Sequence, residues 1–187
     1  MLKTYKYKLY KNKKTKHIDE LINIACSIYN HCIALHKRYY KLYHKSLNKV
    51  KLQKHLTKLK KLDKYKHWNN LGSQAMQQVT ERIDNAYKKF FKKQGGLPSF
   101  KKHIKYKSFT LKGGVGYKLK DNVIFLNGYE YKFSKNQIIK TDDKIKTLTI
   151  KRDNIGDFYI CVSLETKEKV RITTGKSVGI ALDLKLF

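Results

Sequence analysis

The chain of 187 residues carries 43 Lys+Arg against 14 Asp+Glu, a formal net charge of +29 before any histidine is counted. An excess of that size requires a polyanion or leaves the fold repelling itself, and phosphate backbones are the commonest polyanions a soluble protein meets, so RNA or DNA is the expected partner. No apolar run approaches the roughly 18–20 residues that span a bilayer, and the opening Met1-Leu2-Lys3-Thr4 carries no apolar secretion-signal core, so a soluble cytoplasmic protein without a membrane partner is expected.

Residues 4–10 place Tyr5, Tyr7 and Leu9 on one face with lysines between them, the period of two of a half-buried strand. After Lys11-Asn12-Lys13-Lys14 the period changes: from Ile18 apolar residues fall at 18, 21, 22, 25, 28, 29, 32, 35 and 39, predicting an amphipathic helix to about Tyr43. Val50, Leu52, Leu56, Leu59 and Leu62 predict a second, shorter and very basic helix. A third starts at Ser73, a candidate N-cap, and runs to Gly95-Gly96.

From Pro98, the only proline, short apolar or alternating runs at 106–111, 115–119, 123–126, 129–133, 145–151 and 158–164 predict strands. Asn127-Gly128 is a hairpin signal, and Gly113-Gly114-Val115-Gly116 reads as another hairpin rather than a phosphate loop, since no Gly-Lys-Ser/Thr follows it. The expectation is an α+β protein: a small antiparallel β-barrel whose first strand (1–12) pairs back across a helical insertion (13–94), with the rest of the barrel in 95–175. Residues 176–187 hold the near-continuous apolar run Val178-Gly179-Ile180-Ala181-Leu182, the composition of a strand buried on both faces.

Cys26, Cys32 and Cys161 form no Cys-x-x-Cys pair, which argues against a disulfide framework or a zinc knuckle. Cys32 and His36, at i and i+4, are two ligands where a metal site needs more, and read as a core thiol beside a surface histidine. Glu81 and Asp84 read as partners for nearby lysines rather than an acid pair. Lysine interleaved with aromatics is the more informative pattern, because phosphate contacts beside stacking faces suit nucleic acid. Lys37, Arg38, Lys41, Lys60, Lys61 and Lys64 are candidate phosphate contacts. Tyr40 and Trp68 are either stacking faces or core, and Gln74, Gln77, Gln78 and Arg82 on the third helix could reach base edges. Only four cations are arginines, so contacts should be mostly sequence-tolerant; an A+T-rich genome would explain lysine over arginine but not the shortage of acids.

The aromatic helix Ser73–Phe91, the turn Gly96-Leu97-Pro98-Ser99-Phe100-Lys101, the strand Ser108-Phe109-Thr110 and the opening Lys3-Thr4-Tyr5-Lys6-Tyr7-Lys8-Leu9-Tyr10 follow one another as in a known family. The chain resembles the N-terminal half of the TnpB (OrfB) proteins of bacterial insertion sequences, transposon-encoded RNA-guided DNA endonucleases related to type V CRISPR effectors. The resemblance implies a wedge-like barrel with a recognition insertion that holds a transposon-end guide RNA and its DNA target, followed by an RNase H-like nuclease domain of which residues 176–187 are the first strand.

The family's first catalytic Asp lies in a Gly-Ile-Asp-Leu strand, and here Gly179-Ile180-Ala181-Leu182 puts Ala181 at that position. Asp183 lies roughly 6–7 Å further along a strand, too far for ions about 3.5–4 Å apart. The resemblance therefore implies a truncated, non-cutting chain with no catalytic residue and no metal cofactor of its own, the divalent ions and structural zinc of the whole family belonging to segments beyond it.

Overall fold

The computed structural model describes residues 2–134 and 144–166. Twelve elements follow in order: strand β1 (Leu2–Lys8), helices α1 (Thr15–Tyr43) and α2 (Lys49–Leu59), a 3-10 helix (Asp63–Leu71), helix α3 (Ser73–Phe91), a 3-10 turn (His103–Lys105), and strands β2 (Ser108–Lys112), β3 (Lys118–Lys120), β4 (Val123–Leu126), β5 (Tyr129–Lys132), β6 (Lys144–Arg152) and β7 (Phe158–Glu165).

The strands form two antiparallel sheets, one ordered β1-β7-β6-β2 and the other β3-β4-β5. β1 pairs with β7 in the register Tyr5↔Val162 and Tyr7↔Ile160, so the first strand does return across the helical insertion. The sheets meet where Leu9 bridges Phe133 and Tyr10 N–H donates to the Lys132 carbonyl at 2.9 Å. The expected α+β arrangement of antiparallel strands is present, and among the described residues neither sheet closes on itself; the two meet at one corner. The Gly113–Gly116 expectation fails: β2 pairs with β6 and β3 with β4, so this stretch crosses between sheets instead of turning a hairpin. Gly113 is needed there because a Cβ would lie 1.8 Å from the Ile145 carbonyl oxygen, beside the register shift at Ile145/Thr147. Asn127 and Gly128 turn β4 into β5 with φ of 50° and 80°, the left-handed pair a two-residue hairpin requires.

Helix α1 starts at Thr15, three residues before its apolar stripe, because Asn12 folds the entry: its side chain accepts from Lys14 N–H at 2.9 Å and its carbonyl from Thr15 N–H at 3.0 Å. The stripe is buried through Ile18, Leu21, Ile22, Ala25, Ile28, Tyr29 and Cys32 and then leaves the expected path. Ile33 and His36 are buried, while Leu35 and Tyr39 are only half-buried. Helix α2 is capped by Asn48, whose side chain accepts from Lys51 N–H at 3.0 Å. Ser73 is not the N-cap of α3; Gly72 holds that position with φ 81° and Ser73 is the first helical residue.

Helices and sheet are tied by one buried cation. Arg152, at the end of β6, donates to Asp19 at 2.5 Å and Asn23 at 3.1 Å on α1, and to the carbonyls of His103 and Tyr106. The segment after α3 is pinned across α1 by Asn30, whose amide donates to the Lys101 carbonyl at 2.8 Å while its carbonyl accepts from Lys101 N–H at 2.9 Å.

Candidate nucleic-acid interface

Between Lys37 and Lys66 twelve Lys and Arg stand against one acid, Asp63, and this stretch comprises the last turns of α1, all of α2 and the start of the 3-10 helix. Helical geometry turns the composition into a surface. Leu52 and Leu56 are buried on one side of α2, which leaves Lys51, Lys54 and Lys58 exposed on the other. The 3-10 helix docks by the same logic at a period of three: Trp68 and Leu71 are buried and Tyr65 half-buried, and the remaining faces carry Lys64, Lys66 and His67 outward. That element is absent from the sequence reading, although Tyr65, Trp68 and Leu71 at three-residue spacing are its signal.

The sequence-predicted residues divide into groups. Lys37, Arg38, Tyr40 and Lys41 are exposed on the last turns of α1, with Tyr40 58% accessible, and Lys61 and Lys64 are exposed after α2. Lys60 is half-buried and lines, with Gln77, Gln53 and Thr57, a cleft of about 140 Å³ between α2 and α3. Arg38 lies two turns beyond His31 on the same side of α1, and the Arg38 charge is among the causes that lower the His31 pKa, after burial and His55. Because His31 touches the Tyr65 and Trp68 rings at 5.8 and 5.4 Å, Arg38 and Lys64 flank one corner of the molecule.

Others are placed differently. Trp68 is 3% exposed and packs against Tyr65 at 4.7 Å, so its ring belongs to the core and offers no stacking face. Arg82 donates to the Tyr106 hydroxyl at 3.3 Å and the Ser108 carbonyl at 3.2 Å, fastening α3 to the strand that follows. Gln78 donates to Glu81 at 2.9 Å and borders, with Arg82, a groove of about 470 Å³ between α3 and β2; Gln74 is half-buried and Gln77 exposed. Ala181 and Asp183 lie outside the described residues, as does the 176–187 strand.

His36 corrects the expectation of a surface histidine. It is buried, its ring lies 4.3 Å from that of Tyr87, and its Nε2 has no hydrogen-bond partner among the described residues. Burial pushes its pKa down against the pull of Asp84, and pushes the Cys32 thiol up to about 12, so burial favours the neutral form of each. Cys26 is buried and Cys161 half-buried. Asp84 pairs with Lys88 at 2.7 Å, and Glu81 reaches Lys112 at 3.6 Å and Lys49 at 4.0 Å, as neighbours' partners. Among the described residues no group of three or more His, Cys, Asp or Glu is placed to hold a metal ion, and no helix is long and apolar enough to cross a membrane.

The geometry defines a class only: an α+β chain of antiparallel sheets with a strongly cationic helical corner. Compared with protein-family models and with curated proteins, the chain has no match.

Proposed function

We propose that this protein binds nucleic acid through the cationic corner built from the end of α1, α2 and the 3-10 helix, and that it does so as a TnpB-like, transposon-derived chain that engages a guide RNA and DNA without cutting. The observation that carries the binding reading is the run from Lys37 to Lys66, twelve cations against a single acid, eleven of the twelve exposed. The guide-RNA reading rests on the motif order alone. The non-cutting reading rests on Ala181, whose side chain has no oxygen to offer a metal ion where the family places its carboxylate.

A second reading, nonspecific polyanion binding, draws on the arginines. Arg82 and Arg152 are committed to hydrogen bonds inside the fold, which removes two of the four groups best suited to reading guanine. Fewer groups are then free to read base edges directly, which favours sequence-tolerant binding. Competition separates the two: RNA from the transposon's own end should displace a labelled complex at lower concentration than tRNA at physiological salt. Equal competition by tRNA leaves nonspecific binding as the function.

A further inference from the structure

A groove of about 270 Å³ opens between the end of α1 and the end of α3, lined by His36, Tyr40, Tyr87, Phe90, Phe91 and Leu97, with Lys37 at its edge. Three of its walls are large apolar side chains left in solvent: Tyr40 is 58%, Phe91 62% and Leu97 56% exposed. The far wall is held in place, because the Asn30 hydrogen bonds to Lys101 pin the segment that carries Leu97 and Phe100. Lys37 Nζ stands 4.6 Å from the Phe100 ring centroid, a cation resting on an aromatic face beside the opening.

Charge decides what fits. The two stretches that wall the groove, residues 36–46 and 87–102, carry ten Lys and Arg and no Asp or Glu. The neighbouring acid, Asp84, is bound to Lys88 at 2.7 Å and so offsets one of these ten. An occupant must therefore combine a planar apolar group with several negative charges at short spacing. A base on a single strand has both, and a duplex does not, because its base faces are closed in the stack.

Resting on the proposed nucleic-acid binding, we infer that this groove is a stacking site for one unpaired base of a single strand, Phe91 and Tyr40 supplying the ring faces and Lys37 a flanking phosphate contact. The site is indifferent to base identity, since stacking uses the ring face. It adds to the cationic corner a preference for single strands that lysine–phosphate contacts alone do not give.

The test uses the full chain and an oligodeoxythymidylate carrying one 2-aminopurine, whose fluorescence falls when the base stacks, beside a duplex of the same length. Phe91→Leu keeps the apolar bulk without the ring; it should lower single-strand affinity by about 5- to 100-fold and abolish the quench. Duplex affinity and the slope of log K against log salt should stay unchanged. Phe91→Trp should restore binding and quench, and Tyr40→Leu should repeat the loss; circular dichroism confirms that the variants fold, as expected for side chains more than half exposed. An equal loss on duplex, or full quenching by Phe91→Leu, overturns the inference. So does a Phe91→Leu defect that shows on phosphatidylserine vesicles instead, which would make the groove a membrane contact. Wild-type protein that binds neither oligonucleotide defeats the proposed function itself, whereas steep salt-dependent binding indifferent to Phe91 and Tyr40 defeats only the stacking site.

Discussion

The sheet and the helical corner are both rich in lysine, yet their charges are used differently. On the sheet side cations have acids set against them: Lys8 and Lys11 reach Asp157 at 2.6 and 2.8 Å, Lys146 reaches Glu165 at 2.8 Å, and Arg152 reaches Asp19 at 2.5 Å. Between Lys37 and Lys66 the only ion pair among the described residues is Lys49 with Glu81, at 4.0 Å. Like charges three and four residues apart on one helix repel, so the corner costs stability where the sheet's pairs do not. Under the proposed function the counterions of the corner come from a bound polyanion, and the comparison then separates charge used in folding from charge used in binding.

The largest expected effect tests that separation directly. Replacing Lys37, Lys41, Lys60 and Lys64 together by Gln removes up to four phosphate contacts, so the slope of log K against log salt should flatten by about 3–4, and affinity near 0.1 M salt should fall on the order of a thousandfold. The fold should survive or gain stability. Replacing Lys8, Lys11 and Lys146 by Gln is the mirror experiment, expected to lower the unfolding midpoint while leaving the salt slope in place. Titrations of fluorescent RNA at several salt concentrations read both, and equal slopes in the two variants would erase the distinction between the regions.

Next in size is Arg152→Met. It leaves the His103 and Tyr106 carbonyls without their shared donor while the partly exposed Asp19 carboxylate turns to water, a loss of about 1–3 kcal/mol for each carbonyl left unpaired, or roughly 10 °C in Tm for a chain of this length. The salt slope of the protein that remains folded should not change. Gly113→Ala is expected to cost about 1–3 kcal/mol, because its methyl would lie 1.8 Å from the Ile145 carbonyl oxygen and the backbone beside the β6–β7 register shift must move to admit it. Urea unfolding measures both, and a Gly113→Ala loss as large as that of Arg152→Met would mean that the bulge, not the arginine, fastens the sheet.

How much of this was legible in the sequence depends on the range of the interaction involved. Helices α1, α2 and α3 and the Asn127-Gly128 hairpin follow from periods and turn residues within a few positions of one another. The return of β1 to β7 was also legible, because Tyr5, Tyr7 and Leu9 form a face that needs a distant partner. The crossing at Gly113–Gly116 was not, since glycine marks a turn without saying which strand lies beyond it, and the open corner between the sheets depends on pairings more than a hundred residues apart. Of the candidate site, exposed lysines were legible as charge on outward faces. Trp68, left open between core and stacking face, and Arg82, expected to reach base edges, could not be placed from the sequence, because an aromatic or an arginine has the same local pattern whether it faces solvent or packs on a ring, as Trp68 does on Tyr65 and Arg82 on Tyr106. The groove at Phe91 joins residues 36–46 to 87–102, which only packing brings together.

The smallest expected effect distinguishes the regions by pH. His17, His31, His36 and His55 all sit in the helices, and burial lowers the pKa of each below the ordinary value near 6.5. The groups facing them reinforce or weakly oppose this: His31 Nε2 meets His55 Nε2 at 3.1 Å with Arg38 and Lys58 adding positive charge, while Asp84 acts against it at His36 and Glu20 at His17. With folded pKa values below the unfolded ones, the unfolded chain takes up more protons, so the helices keep their full stability above about pH 6.5 and lose it as pH falls from there toward the folded values. The sheet's carboxylates respond in the same direction but in a lower pH window. Asp157, held low by hydrogen bonds from Lys11 and Lys8, and Glu165, held low by Lys146, stabilise the folded state above the ordinary carboxylate range and lose that contribution only as pH drops through their own depressed values. Between about pH 6.5 and 4.5, then, amide exchange should accelerate in α1 and α2 while β1, β6 and β7 stay protected, and His31→Gln should shrink the change by preventing two charged imidazoles from meeting. Exchange that rises first in the sheet would show that its ion pairs, and not the buried histidines, set the acid limit of the fold.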